Sequence, residues 1–186
     1  LTTPQLCDGG ANILDPVRLV STWTAPLGPA NAEAVVTRLR EMGSAFVATH
    51  GSGTASTFDD VPDWDLIRVS ALDLDEATAD ALAEEFCGNK EMYVNKAVLP
   101  YNGLWAIDFT LAGVDKATGV ARVGDTLGVD PANMVAVGDS YNDLPLLRTC
   151  GWRIAMGNAA EDVRAIAHYV APPGIPSQAM RECDRW

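Results

Sequence analysis

The chain has 186 residues, 48% of them hydrophobic and 20% charged, the balance of a globular protein with room for one medium domain or two small ones. Thirteen basic against 25 acidic side chains leave a formal charge of −12, which argues against a nucleic-acid partner, because such binding is driven by Lys and Arg neutralising phosphates. No apolar run approaches the ~20 residues that span a bilayer and no basic-then-apolar leader opens the chain, so the expectation is a cytoplasmic protein with no membrane partner.

The four cysteines, Cys7, Cys87, Cys150 and Cys183, show no metal-ligand spacing and read as free, mostly buried thiols in a reducing compartment. His50 and His168 are too far apart to form a zinc site and have no partner at ligand spacing.

In chain order, alternating apolar runs at 19–25, 45–49, 66–71, 92–99 and 104–110 read as strands. Asn31 can cap a helix whose apolar positions Ala32, Val35, Val36, Leu39 and Met42 follow the 3.6 period, with Gly43 as its stop. Residues 51–60, rich in Gly, Ser and Thr, read as a mobile loop. Asp75 can cap a second helix with Ala79, Leu82, Ala83 and Phe86 on one face. Short meandering strands with two helices predict a small α+β layer.

From Lys116 the grammar becomes strict helix–strand alternation, the pattern of a parallel sheet. A helix runs to Gly128, and Asp130-Pro131 offers a cap followed by a proline suited to a first turn. A strand at 134–138 leads to a helix that must begin near Asn142 if Pro145 is to sit in its first turn. A strand at 152–156 follows, then a capping-box-like start at Asn158 with Glu161, a last helix, a short strand at 169–171 and a Pro-rich tail.

The densest chemistry lies in Val135-Ala136-Val137-Gly138-Asp139-Ser140-Tyr141-Asn142-Asp143. An apolar strand ends at a glycine, and two acids and an amide crowd into the next few residues. Acids at the carboxyl end of a buried strand are costly unless a cation or hydrogen bonds compensate them, and ligand sites of open α/β sheets lie at that end. Lys116, between a strand-like and a helical run, supplies a positive charge for a phosphate ester.

Lys116, then Gly138-Asp139-x-x-Asn142-Asp143, then Ala155-Met156-Gly157-Asn158-Ala159 resembles, in this order, the haloacid dehalogenase superfamily, in particular its Cof-like branch of phosphatases with a large α/β cap. Cys7-Asp8-Gly9-Gly10-Ala11-Asn12-Ile13 is similar to that branch's "NGA" turn into the cap, with Gly9 in place of the usual Asn. The resemblance implies an α/β fold: residues 1–11 a core remnant and linker, 12–110 the inserted α+β cap, and 111–186 the C-terminal half of a Rossmann-like core with a parallel sheet. It implies that Asp139 coordinates Mg²⁺ and Asp143 supports or joins the metal site. Lys116, counted with Asp139 as catalytic, would hold the transferring phosphoryl group together with Asn142. The substrate class is a small phosphorylated metabolite, such as a sugar phosphate or nucleotide, with the cap reading the leaving group.

In this superfamily an Asp-x-Asp-Gly-Thr nucleophile precedes the cap, and no such motif stands upstream of the "NGA"-like turn here. The expectation is that the aspartate taking the phosphoryl group lies outside this chain, in a missing N-terminal segment of a longer polypeptide or in a second chain completing the core. Asp73-Leu74-Asp75-Glu76-Ala77-Thr78 mimics the motif, but Glu76 replaces its glycine, and the stretch reads as a capped helix start. Two alternatives stay open: a catalytically inactive fragment serving as a binding module, and a phosphomutase on the same scaffold.

Overall fold

The computed structural model describes residues 2–99 and 101–173; Cys183 and the last proline of the tail lie outside them. The chain divides into two compact units, Leu1–Val114 and Asp115–Trp186.

The first unit opens with an antiparallel meander of β1 (Gln5–Cys7), β2 (Asn12–Asp15) and β3 (Val20–Thr24). The β1–β2 connection turns through three successive positive φ values, 51° at Asp8, 67° at Gly9 and 112° at Gly10. Glycine adopts such angles freely. Asp8 tolerates its own because its carboxylate is fastened on three sides, by Asn12 Nδ2 at 3.0 Å, Thr49 Oγ1 at 3.3 Å and the Arg68 guanidinium at 3.3 Å.

The larger sheet is antiparallel, in the order β5-β4-β6-β8-β7. Its strands are β4 (Phe46–His50), β5 (Gly53–Ala55), β6 (Leu66–Leu74), β7 (Met92–Val98) and β8 (Trp105–Leu111). The apolar stripes of α1 (Pro29–Met42) and α2 (Glu76–Cys87) pack with Phe46, Val69, Ala71, Ile107 and Phe109 into one core. Alternation sends the cross-strand pair Ser70 and Asp108 to the opposite face, where the serine hydroxyl donates to the carboxylate at 2.5 Å.

Three local expectations are corrected here. Helix α1 starts at Pro29 with Gly28 as its N-cap, because a proline's fixed φ and missing N–H suit the first turn; Asn31 is no cap but donates to the Leu27 carbonyl at 3.1 Å. The stretch 51–60 is not structureless. Strand β5 pairs with β4, and a 3-10 turn spans Phe58–Asp60, its Phe58 ring 4.6 Å from that of Phe46. Of the three described thiols only Cys150 is buried, Cys7 being half-buried and Cys87 exposed.

The second unit is a parallel three-stranded sheet in the order β11-β10-β9, formed by β9 (Val135–Gly138), β10 (Trp152–Ala155) and β11 (Tyr169–Val170). Helices α3 (Lys116–Leu127), α4 (Leu144–Thr149) and α5 (Glu161–Ile166) alternate with the strands. Val120, Leu147, Cys150 and Val163 from these helices and the turn after α4 pack against Ala136 and Ala155 of the sheet. The mixed α/β architecture and the parallel arrangement of this half are as the alternation predicts. The capping box at Asn158 is not: α5 begins at Glu161 after Ala160, with no side-chain cap. The Ala160 N–H instead donates to the Asp139 carbonyl at 2.9 Å. Among the described residues no helix is long and apolar enough to cross a membrane.

Candidate active site

The site is built where β9 ends. Hydrophobic alternation carries the strand to Gly138, and a 3-10 turn, Tyr141–Asp143, runs into α4 with Pro145 in its first turn. Gly138 is required by a close approach. A Cβ on it would stand 2.6 Å from the Asp143 Cβ and 3.0 Å from its Cγ, so the Asp143 side chain folds back into the space that a larger residue would fill.

The Asp143 carboxylate is the hub. It is 6% exposed, and both oxygens are satisfied. Oδ2 accepts from the backbone N–H of Asp139 at 2.9 Å and of Ser140 at 3.2 Å, while Oδ1 takes a short hydrogen bond from the Lys116 ammonium. Burial works to raise its carboxyl, but the Lys116 hydrogen bond and charge and the two N–H donors together hold it below the usual aspartate value of 3.8.

Lys116 reaches the hub as the first residue of α3. Asp115 caps that helix, accepting from Thr118 N–H at 2.9 Å and Thr118 Oγ1 at 3.1 Å. The same ammonium donates to Asn142 Oδ1 at 3.4 Å, and the Ser140 hydroxyl donates to that oxygen at 2.5 Å. Asp139 is exposed, directly after the last residue of β9 and ahead of the turn. Partial desolvation and then the neighbouring Asp143 charge push its carboxyl up, only partly offset by Lys116. The Met156–Asn158 turn is fastened to this loop, with Met156 N–H on the Gly138 carbonyl and Ala160 N–H on that of Asp139, both 2.9 Å.

The structure therefore brings Lys116, Asn142 and Asp143 into direct contact, with Asp139 joined to them through its backbone N–H. Ser140 was passed over in the sequence; the signal available there was a hydroxyl residue two positions ahead of Asn142. Two acids on one turn, one already neutralised and the other held above its ordinary value, form a donor set that a divalent cation would stabilise. Among the described residues no three His, Cys, Asp or Glu side chains form a closed cage; Mg²⁺ needs only one or two carboxylates, with water and phosphate oxygens completing its octahedron.

The remaining chemistry-bearing residues belong elsewhere. Asp73 lies in β6 at φ 58° and accepts from Tyr101 OH at 2.9 Å and Asn102 Nδ2 at 2.7 Å. Asp75 caps α2, taking the Thr78 N–H at 2.9 Å. That stretch is a capped helix start. Ser52 bonds the His50 ring at 3.0 Å, and His168 stacks on Trp152 with ring centroids 4.5 Å apart. Trp23, Trp64 and Trp105 pack against the hydrophobic clusters of the first unit, while Tyr93 and Tyr101 are exposed.

A family model for haloacid dehalogenase-like hydrolases matches residues 41–173. The chain belongs to that family. Among curated relatives, the 5-amino-6-(5-phospho-D-ribitylamino)uracil phosphatase YcsE of Bacillus subtilis is 30% identical over 112 residues, 60% of this chain and 43% of that protein. A phosphoglycolate phosphatase of Halorubrum lacusprofundi is 34% identical over 149 residues, 79% of this chain and 59% of that protein. The chain thus spans about half the length of these relatives. The haloacid dehalogenase-like hydrolase structure from B. subtilis superposes with a TM-score of 0.75 at 17% identity, covering 92% of this chain and 75% of that one. A second such hydrolase, from Bacteroides thetaiotaomicron, gives 0.73 at 17% identity, over 94% and 74%. These likenesses establish the fold.

Proposed function

We propose that the protein is a Mg²⁺-dependent phosphatase acting on a small phosphorylated metabolite. The observation that carries this reading is the convergence of the Lys116 ammonium, the Asn142 amide and the Asp143 carboxylate at the carboxyl end of β9, with Asp139 held beside them through its backbone N–H. Family membership supports it, as do relatives named for two chemically unlike small phosphate monoesters.

In this reading Asp139, the exposed acid, holds the metal ion directly. Asp143, whose oxygens are occupied by Lys116 and two N–H groups, supports the ion from behind by fixing the turn. When bound, the ion supplies charge neutralisation to phosphate oxygens. Lys116 and Asn142 bind the transferring phosphoryl group: the ammonium offsets charge on its equatorial oxygens and the amide orients it. The nucleophilic aspartate that the family resemblance calls for is assigned to no residue of this chain. Residues 12–110 take the part of the cap and 111–186 that of the core's C-terminal half.

The test is turnover of p-nitrophenyl phosphate and acetyl phosphate, with and without Mg²⁺, by this chain and by any natural form extended upstream. Mg²⁺-dependent release of phosphate is expected in the form that carries the nucleophile, and replacing Lys116 by Ala should lower kcat/KM by about 100-fold or more. Silence of every form with every phosphate ester would favour a binding module, and transfer between sugar hydroxyls without release would favour a phosphomutase.

A further inference from the structure

The Asn142 carboxamide is gripped at one end only. Its Oδ1 accepts from the Ser140 hydroxyl at 2.5 Å and from the Lys116 ammonium at 3.4 Å. An ammonium has no lone pair to accept with, so Lys116 settles which end of the amide is the carbonyl, and the freely rotating hydroxyl follows by donating. Nδ2 is thereby turned away from both donors, and among the described residues no acceptor takes its two hydrogens.

Ser140 occupies the N-cap of the 3-10 turn, where a serine hydroxyl ordinarily accepts a backbone N–H. It forms a capping box with Asp143 here, and the Asp143 N–H also bonds the Ser140 carbonyl at 2.9 Å. The backbone of Ser140 also serves Asp143 through its own N–H. Its hydroxyl therefore has two roles: a lone pair faces the Asp143 N–H in the capping box of the turn, and its one hydrogen goes to the Asn142 side chain.

We infer that Ser140 is a positioning residue: its hydroxyl, with Lys116, fixes the Asn142 carboxamide so that Nδ2 donates to an oxygen of the bound phosphoryl group. This rests on the phosphatase reading and adds to it a residue that touches neither metal nor phosphate. When phosphate enters and Lys116 turns toward it, the weaker 3.4 Å contact is the one to lengthen, leaving Ser140 as the restraint on the amide. Without the hydroxyl, Asn142 can flip and present a carbonyl oxygen to an anion.

The decisive measurement is calorimetric binding of inorganic phosphate, in the presence of Mg²⁺, to the full natural polypeptide and its variants. S140A should weaken phosphate binding about fivefold to tenfold, the size of one neutral hydrogen bond. S140T, which keeps the hydroxyl, should restore both binding and the wild-type unfolding temperature, whereas S140A also loses the cap and should unfold at a somewhat lower temperature. The KM for p-nitrophenyl phosphate should rise in parallel in S140A. In an N142A background the S140A change should have no further effect on phosphate binding, since the group it positions is gone. Undiminished phosphate binding in S140A, or an equal loss with and without Asn142, overturns the inference while leaving the phosphatase reading intact. Absence of phosphate binding in the wild type overturns that reading, and the inference with it.

Discussion

Lys116 neutralises a carboxylate that the fold has almost removed from water, and its removal has two separable consequences. Replacing it by Met leaves Asp143 buried and charged, a situation that costs about 3–5 kcal/mol when both partners are fully enclosed. Here 29% of the Lys116 side chain stays exposed, and solvent screening brings the expected loss to about 2 kcal/mol, read as a lower urea midpoint. The folded Asp143 carboxyl is held below 3.8, so the stability it contributes is present above that value and fades as pH falls through the lower folded one. Acid titration of the urea midpoint should show that decline in the wild type and a smaller one in K116M. At Leu19 the chain has spent stability. This residue is 76% exposed with φ 54°, in the turn where the Asp15 carboxylate takes the N–H of Val17 at 2.9 Å and of Arg18 at 3.0 Å. A left-handed conformation costs an L-residue about 1–2 kcal/mol, and glycine gives back part of that in entropy. Leu19→Gly should therefore raise unfolding stability by up to about 1 kcal/mol; an unchanged or lower midpoint would show that no strain resides there.

Among the elements, α3 is the one through which local sequence reaches the chemistry. Its N-cap Asp115 sits immediately before Lys116, so fraying of the first turn moves the ammonium. Asp115→Ala should cost about 1 kcal/mol and, unlike an equally destabilising change in α2, should also weaken phosphate binding. Measuring phosphate affinity alongside thermal unfolding separates the two effects. The caps at Asp75 and Asp130 and the helix stops at Gly43 and Gly128 were legible because each depends on neighbours within four residues. The caps imagined at Asn31 and Asn158 satisfied the same local pattern and failed, one because Pro29 begins its helix earlier, the other because the Ala160 N–H is taken by the Asp139 carbonyl from another loop.

For the molecule as a whole, the excess of acidic over basic side chains is a persistent self-repulsion that the exposed ion pairs, such as Arg38 with Glu85 at 3.0 Å, relieve only locally. Raising ionic strength from about 0.01 M to about 0.15 M shortens the screening length from about 30 to about 8 Å. Thermal unfolding should then move to higher temperature, and a fall would mean that attractive pairs dominate. Strand and helix periods, the parallel alternation after Lys116 and the crowding of Asp139, Asn142 and Asp143 could all be read along the chain, since a period or a spacing is a property of neighbours. Which oxygen of Asp143 meets which donor, that Gly138 must lack a side chain to let it fold back, and that the Ser140 hydroxyl reaches the Asn142 amide as well as its own turn could not. The first depends on Lys116 of α3 being brought to the turn before α4 from far away in sequence, and the others on how that turn folds back on the end of β9, neither of which a period or a spacing encodes.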